Sequence, residues 1–255
     1  MIDLHCHILP EIDDGAQNLE ESLAMAIQAV KVGITHLFAT PHHFNGRFDN
    51  PKNEILKRVS EFNQCLKQEN IPLTIHPGQE LRIHRELFNT FERDEILTLD
   101  NRGKYLMLEL PSGHVPDYTQ EIIYELLLKG ITPVIVHPER NRGLMQDKNL
   151  LFQLVNEGAL TQLTAGSITG QFGMKIMSFS QKIIKHNLAH FIASDAHDVA
   201  YRGFSIKDAF DKISKSNGIN SPVYFNENAK LLIKGQSLRS KKPLPFKKGL
   251  IDFFS

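Results

Sequence analysis

Residues 105–140, YLMLELPSGHVPDYTQEIIYELLLKGITPVIVHPER, hold a strand, a helix and a second strand in succession. YLMLEL is a short apolar run ended by Pro111. Ile122, Ile123, Leu126 and Leu127 recur at helical spacing, and Gly130 supplies the stop. TPVIVHP is again a short run, rich in β-branched residues. Two apolar strands joined through a helix read as a parallel pair. Each strand also ends in chemistry: Glu109 after the first, His137, Glu139 and Arg140 after the second.

The same alternation extends both ways. Upstream lie Ile2–His5, a helix from Leu19 to Val30 with Asn18 as N-cap and Gly33 as stop, and the strand ITHLFAT. Asn50-Pro51 then opens a helix whose buried face is Ile55, Leu56, Val59, Phe62 and Leu66, followed by the strand PLTIHPGQE. Downstream come a helix around Leu150–Val155 ending at Gly158, the strand ALTQLTA, a helix marked by Phe172, Ile176, Phe179 and Ile183, and the strand AHFIASDAH. Helical signals return at Ile206–Ser214 and Asn228–Lys234. Seven strands alternating with helices predict one domain, a parallel sheet covered by helices, over residues 1–236. Residues 237–255 form a basic, aromatic tail. An open doubly wound sheet and a closed barrel both fit. No glycine-rich phosphate loop follows the first strand, which removes the usual reason to choose a nucleotide-binding sheet.

The bulk composition narrows the function. Lys+Arg and Asp+Glu balance at 29 each, so no global field favours nucleic acid. No apolar run reaches the length of a membrane span, and Asp3, His5 and His7 interrupt any leader-like start, so a cytoplasmic protein is expected. Two cysteines, Cys6 and Cys65, make no disulfide framework. Neither is followed six residues on by the arginine of a cysteine phosphatase; Ile12 and Ile71 stand there. No G-x-S-x-G elbow supports a serine triad. Histidine is in surplus, with 12 in the chain.

Six of those histidines fall at strand ends. The first strand gives His5 and His7, which share a side in an extended chain, with Asp13 and Asp14 following. The second gives His42 and His43, the third Glu80, the fourth Glu109, the fifth His137, and the seventh Asp195 and His197. In a βα barrel these ends converge on one face. Imidazole and carboxylate ligands without cysteine suit Mn, Fe or Zn, and the set is too large for one ion. A hydroxide held between two metals is the expected nucleophile. Arg140, three residues past His137, is the first candidate to hold a phosphoryl group, and Arg202 the second; Arg47 and Arg142 follow.

H-x-H near the start, TPHH, HPER and S-D-A-H resemble the polymerase and histidinol phosphatase (PHP) superfamily. IDLHCHILPEIDDG, ATPHH, PGQE, VHPERNR and FIASDAH are similar, more narrowly, to the manganese-dependent tyrosine-protein phosphatases of Gram-positive capsular and exopolysaccharide loci. The resemblance implies a distorted (β/α)7, TIM-like barrel of the PHP fold with two or three Mn ions. It implies His5, His7, Glu80 and Asp195 around one metal, Asp14, His42 and His197 around a second, and Glu80, Glu109 and His137 around a third, with His43 as an alternative to His42. It implies hydrolysis of phosphotyrosine on the tail of a bacterial tyrosine kinase. A histidinol-phosphate or other small phosphomonoester phosphatase is the runner-up, and a phosphoprotein-binding module that does not hydrolyse is a third reading. The tail, SLRSKKPLPFKKGLIDFFS, combines Arg239, Lys241, Lys242, Lys247 and Lys248 with Leu250, Ile251, Phe253 and Phe254. Basic residues beside apolar ones can bind an anionic membrane; packing of the aromatics back on the barrel or onto a neighbouring subunit, with the lysines solvated, is the preferred reading.

Overall fold

The apolar runs form parallel strands. The computed structural model describes residues 1–99, 101–217 and 220–246. Among these, β1 (Ile2–Cys6), β2 (His36–Ala39) and β4 (Thr74–Pro77) make one sheet in the order β1-β2-β4. A second sheet holds β3 (His42–His43), β5 (Glu80–Arg82), β6 (Tyr105–Glu109), β7 (Thr132–Val136), β8 (Leu160–Thr164) and β9 (Phe191–Ala193), each beside the next.

Seven unbroken strands are therefore not what forms, because the second and third each break in two. Pro41 parts β2 from β3, since proline brings no N–H to a ladder. Gly78 and Gln79 part β4 from β5. A Cβ on Gly78 would stand 2.9 Å from Thr40 Cγ2 and 3.0 Å from Leu99 Cδ2, so any larger residue would have to displace these side chains at the crossing. With each broken strand counted as one stave, seven staves pair in a circuit. It closes where Cys6 pairs with Ala196: His7 N–H donates to the Ala196 carbonyl and Asp195 N–H to that of His5, both at 2.9 Å. The fold is a distorted (β/α)7 barrel.

The barrel interior carries one apolar cluster, including Leu4, Phe38, Met107, Val134, Val136 and Phe191. Burying each such side chain contributes about 1.5–3 kcal/mol. Strict alternation would send His5 outward if Leu4 points in. Four residues of β1, Asp3 to Cys6, instead lie opposite three of β2, Leu37 to Ala39. This irregularity shifts the phase, so that Leu4 fills the interior while His5 and His7 also face it; strand irregularities of this kind re-aim side chains beside active sites.

Helices α1 (Leu19–Lys31), α2 (Lys52–Gln68), α3 (Leu87–Glu92), α4 (Thr119–Leu128), α5 (Arg142–Gln146), α6 (Lys148–Asn156), α7 (Ala165–Thr169), α8 (Met174–Lys185), α9 (Ile206–Asn217) and α10 (Asn220–Ile233) surround the staves. Asn18 caps α1 by accepting from Glu21 N–H at 2.9 Å. Asn50 does not cap α2. Its amide donates to the carbonyls of Ile12 and His42, both at 2.9 Å, tying the loop after β1 to β3. Phe172, expected on the helical face of α8, lies before that helix begins.

The tail, as far as Phe246, packs on the barrel. Asn187 donates to the Lys242 carbonyl at 3.0 Å, Leu244 N–H donates to that of His186 at 2.9 Å, and the Phe246 and His186 rings stack at 4.1 Å. Lys247, Lys248, Leu250, Ile251, Phe253 and Phe254 lie outside the described residues. Among those described, no helix is long and apolar enough to cross a membrane.

Candidate metal centre

His5 and His7 are wholly buried at the end of β1, and their Nε2 atoms stand 3.2 Å apart. Their outer nitrogens fix the tautomers. His5 Nδ1–H donates to Gln162 Oε1 at 2.9 Å, and His7 Nδ1–H donates to Asp13 Oδ2 at 2.7 Å. In the neutral imidazoles both Nε2 atoms are then bare lone pairs. They face each other and Glu80 Oε2, 3.3 Å from each, with Asp195 Oδ1 3.6 Å from each. With both imidazoles neutral, no proton lies among these acceptors, so the geometry is one that a cation completes, protons in the metal-free centre and metal ions in their place.

Three groups of ligand atoms converge, each within 4.8 Å: His7, Asp14, His42 and His197; His5, His7 and Glu80; and His42, Glu80 and Glu109. His197 donates from Nδ1 to the Asp195 carbonyl at 3.0 Å, which turns Nε2 to Asp14 Oδ1 at 3.5 Å. His42 Nε2 lies 3.4 Å from that same oxygen, while its Nδ1 lies 3.0 Å from Glu80 Oε2. His137 Nε2 meets the other Glu80 oxygen at 2.7 Å. Beside Glu80 and Glu109 it is His42, rather than His137, that completes the third group. His43 turns away from this cluster, with Nδ1 2.8 Å from Asp49.

Local backbone aims several ligands. His137 and Asp195 take left-handed backbone, φ 34° and 53°, just past the ends of β7 and β9. Such conformations cost on the order of 1–3 kcal/mol in a non-glycine residue and cluster at functional sites. Gly15 closes the turn that presents Asp13 and Asp14: a Cβ there would fall 2.0 Å from the His7 carbonyl oxygen.

Two arginines line one edge. Arg140 and Arg202 both donate to Asp195 Oδ2, Arg202 at 3.0 Å, and the Arg140 guanidinium lies 5.2 Å over the Phe172 ring. Arg82, on β5, reaches Glu109 Oε2 at 2.9 Å. Arg47 is exposed and caps a stack in which its guanidinium covers Phe48 at 4.8 Å and Phe48 lies parallel to His42.

The site holds an excess of negative charge. Burial pushes the His7 imidazole down, but Asp13, Asp195 and Glu80 outweigh it and hold its pKa well above the ordinary value. Against the same burial, Glu80 and Asp14 raise His42 to about 10. Glu80 and Asp195 stay ionised despite complete burial, held down by histidines and, for Asp195, by Arg140. Glu109 is pushed up to about 7 by burial and by Glu80. His42 Nδ1, Glu109 Oε2 and Asp195 Oδ1 are buried, and their charged neighbours lie outside hydrogen-bond geometry. Divalent cations fit this donor set, and it contains no sulfur to favour a softer ion.

Gln162, Asp13 and Arg82 were not assigned roles from the sequence. Gln162 sits in phase with Leu160 and Thr164 on β8, and Arg82 two residues after Glu80, so the period of two places both on the ligand side.

The capsular polysaccharide synthesis, CpsB/CapC, family model matches residues 1–234. The tyrosine-protein phosphatase YwqE of Bacillus subtilis is 43% identical over 100% of both chains. The tyrosine-protein phosphatase CpsB of Streptococcus agalactiae is 30% identical over 92% of this chain and 98% of its own. A chain from the crystal structures of YwqE from Bacillus subtilis and CpsB from Streptococcus pneumoniae, described as unique metal-dependent tyrosine phosphatases, superposes with a TM-score of 0.94 at 42% identity, covering 97% of this chain and 100% of that one. Histidinol phosphate phosphatase from Lactococcus lactis shares the fold at a TM-score of 0.50 and 13% identity, over 96% and 98% of the two chains. With the family model spanning the barrel and relatives matched along almost their whole length, this chain belongs to the CpsB/CapC family.

Proposed function

We propose that this chain is a cytoplasmic metal-dependent protein-tyrosine phosphatase whose substrate is a phosphotyrosine-bearing bacterial tyrosine kinase, and whose ion is manganese. The observation that carries the reading is the facing pair of His5 and His7 Nε2 atoms, whose outer nitrogens are committed to Gln162 and Asp13. His5, His7, Asp14, His42, Glu80, Glu109, His137, Asp195 and His197 would hold the ions. When bound, such ions bring the pKa of water into the neutral range and draw charge from a phosphoryl oxygen.

The chain's own residues supply the rest. Arg140 and Arg202 are anchored through one Asp195 oxygen, which leaves other guanidinium N–H groups for phosphoryl oxygens. Phe172 beneath Arg140 restricts that side chain further. Anchored donors need not reorganise as charge develops in the transition state. The phenol of tyrosine, with a pKa near 10, leaves with less protonation than an alkoxide, and no general acid is assigned.

Release of phosphate from a phosphotyrosine peptide, a phosphoserine peptide, histidinol phosphate and p-nitrophenyl phosphate, before and after chelation and with Mn restored, tests the reading. Mn-dependent preference for the phosphotyrosine peptide is expected. Preference for histidinol phosphate, or activity that survives verified metal removal, would overturn it.

A further inference from the structure

Two concavities of about 590 and 510 Å³ lie side by side along the outer flank of α8, and both are lined by Lys148 of α6 and by Lys182. Met174 and Lys175 line the end nearer the metal centre, and Lys185 and Phe246 the other. Phe172, two residues before α8 starts, packs against Arg140, so this groove begins beside the mouth of the site.

The groove is cationic in a chain whose charges otherwise balance. Positions 175, 182 and 185 share one face at 100° per residue, away from the buried Ser180, Ile183 and Ile184, and Phe179 adjoins that face in the groove lining. Among the described residues, Lys148, Lys175, Lys182 and Lys185 carry no ion pair, whereas Lys52 and Lys230 close salt bridges elsewhere. The one carboxylate in the lining, Asp147, is engaged at the start of α6, accepting from Asn149 and Leu150 N–H at 3.0 and 3.2 Å. Lys175 to Lys185 spans about 15 Å at helical rise. An extended peptide covers that length with about four or five residues.

Resting on the phosphatase reading above, we propose that this groove binds an acidic segment flanking the phosphotyrosine of the substrate protein. The charge is complementary, the surface is concave rather than flat, and its length suits a short strand leaving the metal centre. A protein substrate would be held at two places, its phosphoryl group among the ions and its carboxylates along α8. Small phosphate esters would use only the first.

The test pairs two phosphotyrosine peptides, one with four flanking glutamates and one with glutamines in their place, with p-nitrophenyl phosphate as a control. Wild-type enzyme is compared with Lys175→Glu/Lys182→Glu, neither residue being part of the metal centre. Expected is a kcat/KM for the acidic peptide about tenfold above that for the neutral one at low salt, lost in the double variant and at high ionic strength. Turnover of p-nitrophenyl phosphate should stay unchanged, which also shows that the variant is folded. Equal kcat/KM for the two peptides, or an unchanged value in the variant, would overturn the groove and leave the phosphatase reading standing. Fluorescence anisotropy of the acidic peptide made with unphosphorylated tyrosine reads the groove without catalysis, so binding lost in the variant supports it even where no phosphotyrosine is hydrolysed. Sedimentation with phosphatidylglycerol vesicles separates a membrane. Wild-type binding to vesicles that the double variant loses, with peptide binding unaffected, would assign the lysines to lipid and overturn the proposal.

Discussion

Gln162 Oε1 receives the Nδ1 proton of His5 at 2.9 Å, across 157 positions of sequence. The bond sets which nitrogen of His5 faces the metal centre. Replacing Gln162 with leucine should lower metal affinity about 10- to 100-fold, as for other residues that orient a ligand. Gln162→Glu, which keeps an acceptor, should lose far less. Calorimetric titration of the chelated variants with Mn checks both.

Arg140 and Arg202 share Asp195 Oδ2, and their removal should affect chemistry more than metal. Arg140→Ala and Arg202→Ala are each expected to cost roughly 2–4 kcal/mol of transition-state stabilisation. Elemental analysis should find wild-type metal content in both. Near-wild-type kcat/KM in either would remove that arginine from the mechanism.

Metal binding should release protons at neutral pH. With His42 held at about 10 by Glu80 and Asp14, and His5 and His7 also raised, the metal-free centre carries protons at pH 7.5 that the ions displace. Titrations in buffers of different ionisation enthalpy should give about one or more protons per chain. Acid restores the competition, so activity should fall below about pH 6. A binding heat independent of buffer would contradict this.

Glu139 offers a stability measurement apart from catalysis. It is wholly buried; burial raises its pKa to about 7, and one of its oxygens has no hydrogen-bond partner. The folded state therefore holds its proton between pH 4.5 and 7 while the unfolded state has lost it, so stability drops as pH rises through that window. Glu139→Gln keeps an acceptor for Thr164 N–H and carries no charge. In chelated protein at pH 8 it should be the more stable by roughly 3 kcal/mol, with the gain vanishing below pH 4.5. Urea melts at the two pH values decide it.

The strand ends were legible because ligands at the ends of βα staves carry distinctive chemistry. The period of two put His5 and His7 on one side of β1, and the strand ends of a βα barrel brought them together with Glu80, Glu109 and His197, but the irregularity that turns His5 inward was not legible. The partners that orient them were not. Gln162 is an ordinary amide in the one strand, ALTQLTA, that seemed to bring nothing to the site, and its role exists only through a contact between distant staves. The breaks at Pro41 and Gly78 carried a signal in their residue types, but the crossing of Gly78 over Thr40 is a tertiary contact. Helices α3, α5 and α7, of five or six residues each, are too short to display a period.

Those two breaks have a mechanical consequence. They divide the staves into a three-stranded and a six-stranded sheet, and the ligands come from both: His5 and His7 from the first, Glu80, Glu109 and His137 from the second or its edge. An ion among them is a rivet across the seam. Its affinity adds to the cohesion of the barrel, by about 2.7 kcal/mol at a hundredfold excess over Kd. The amides that stitch the seam, His7 to Ala196 and Asp195 to His5, should exchange hydrogen faster once the ions are chelated, while amides within α2 keep their protection.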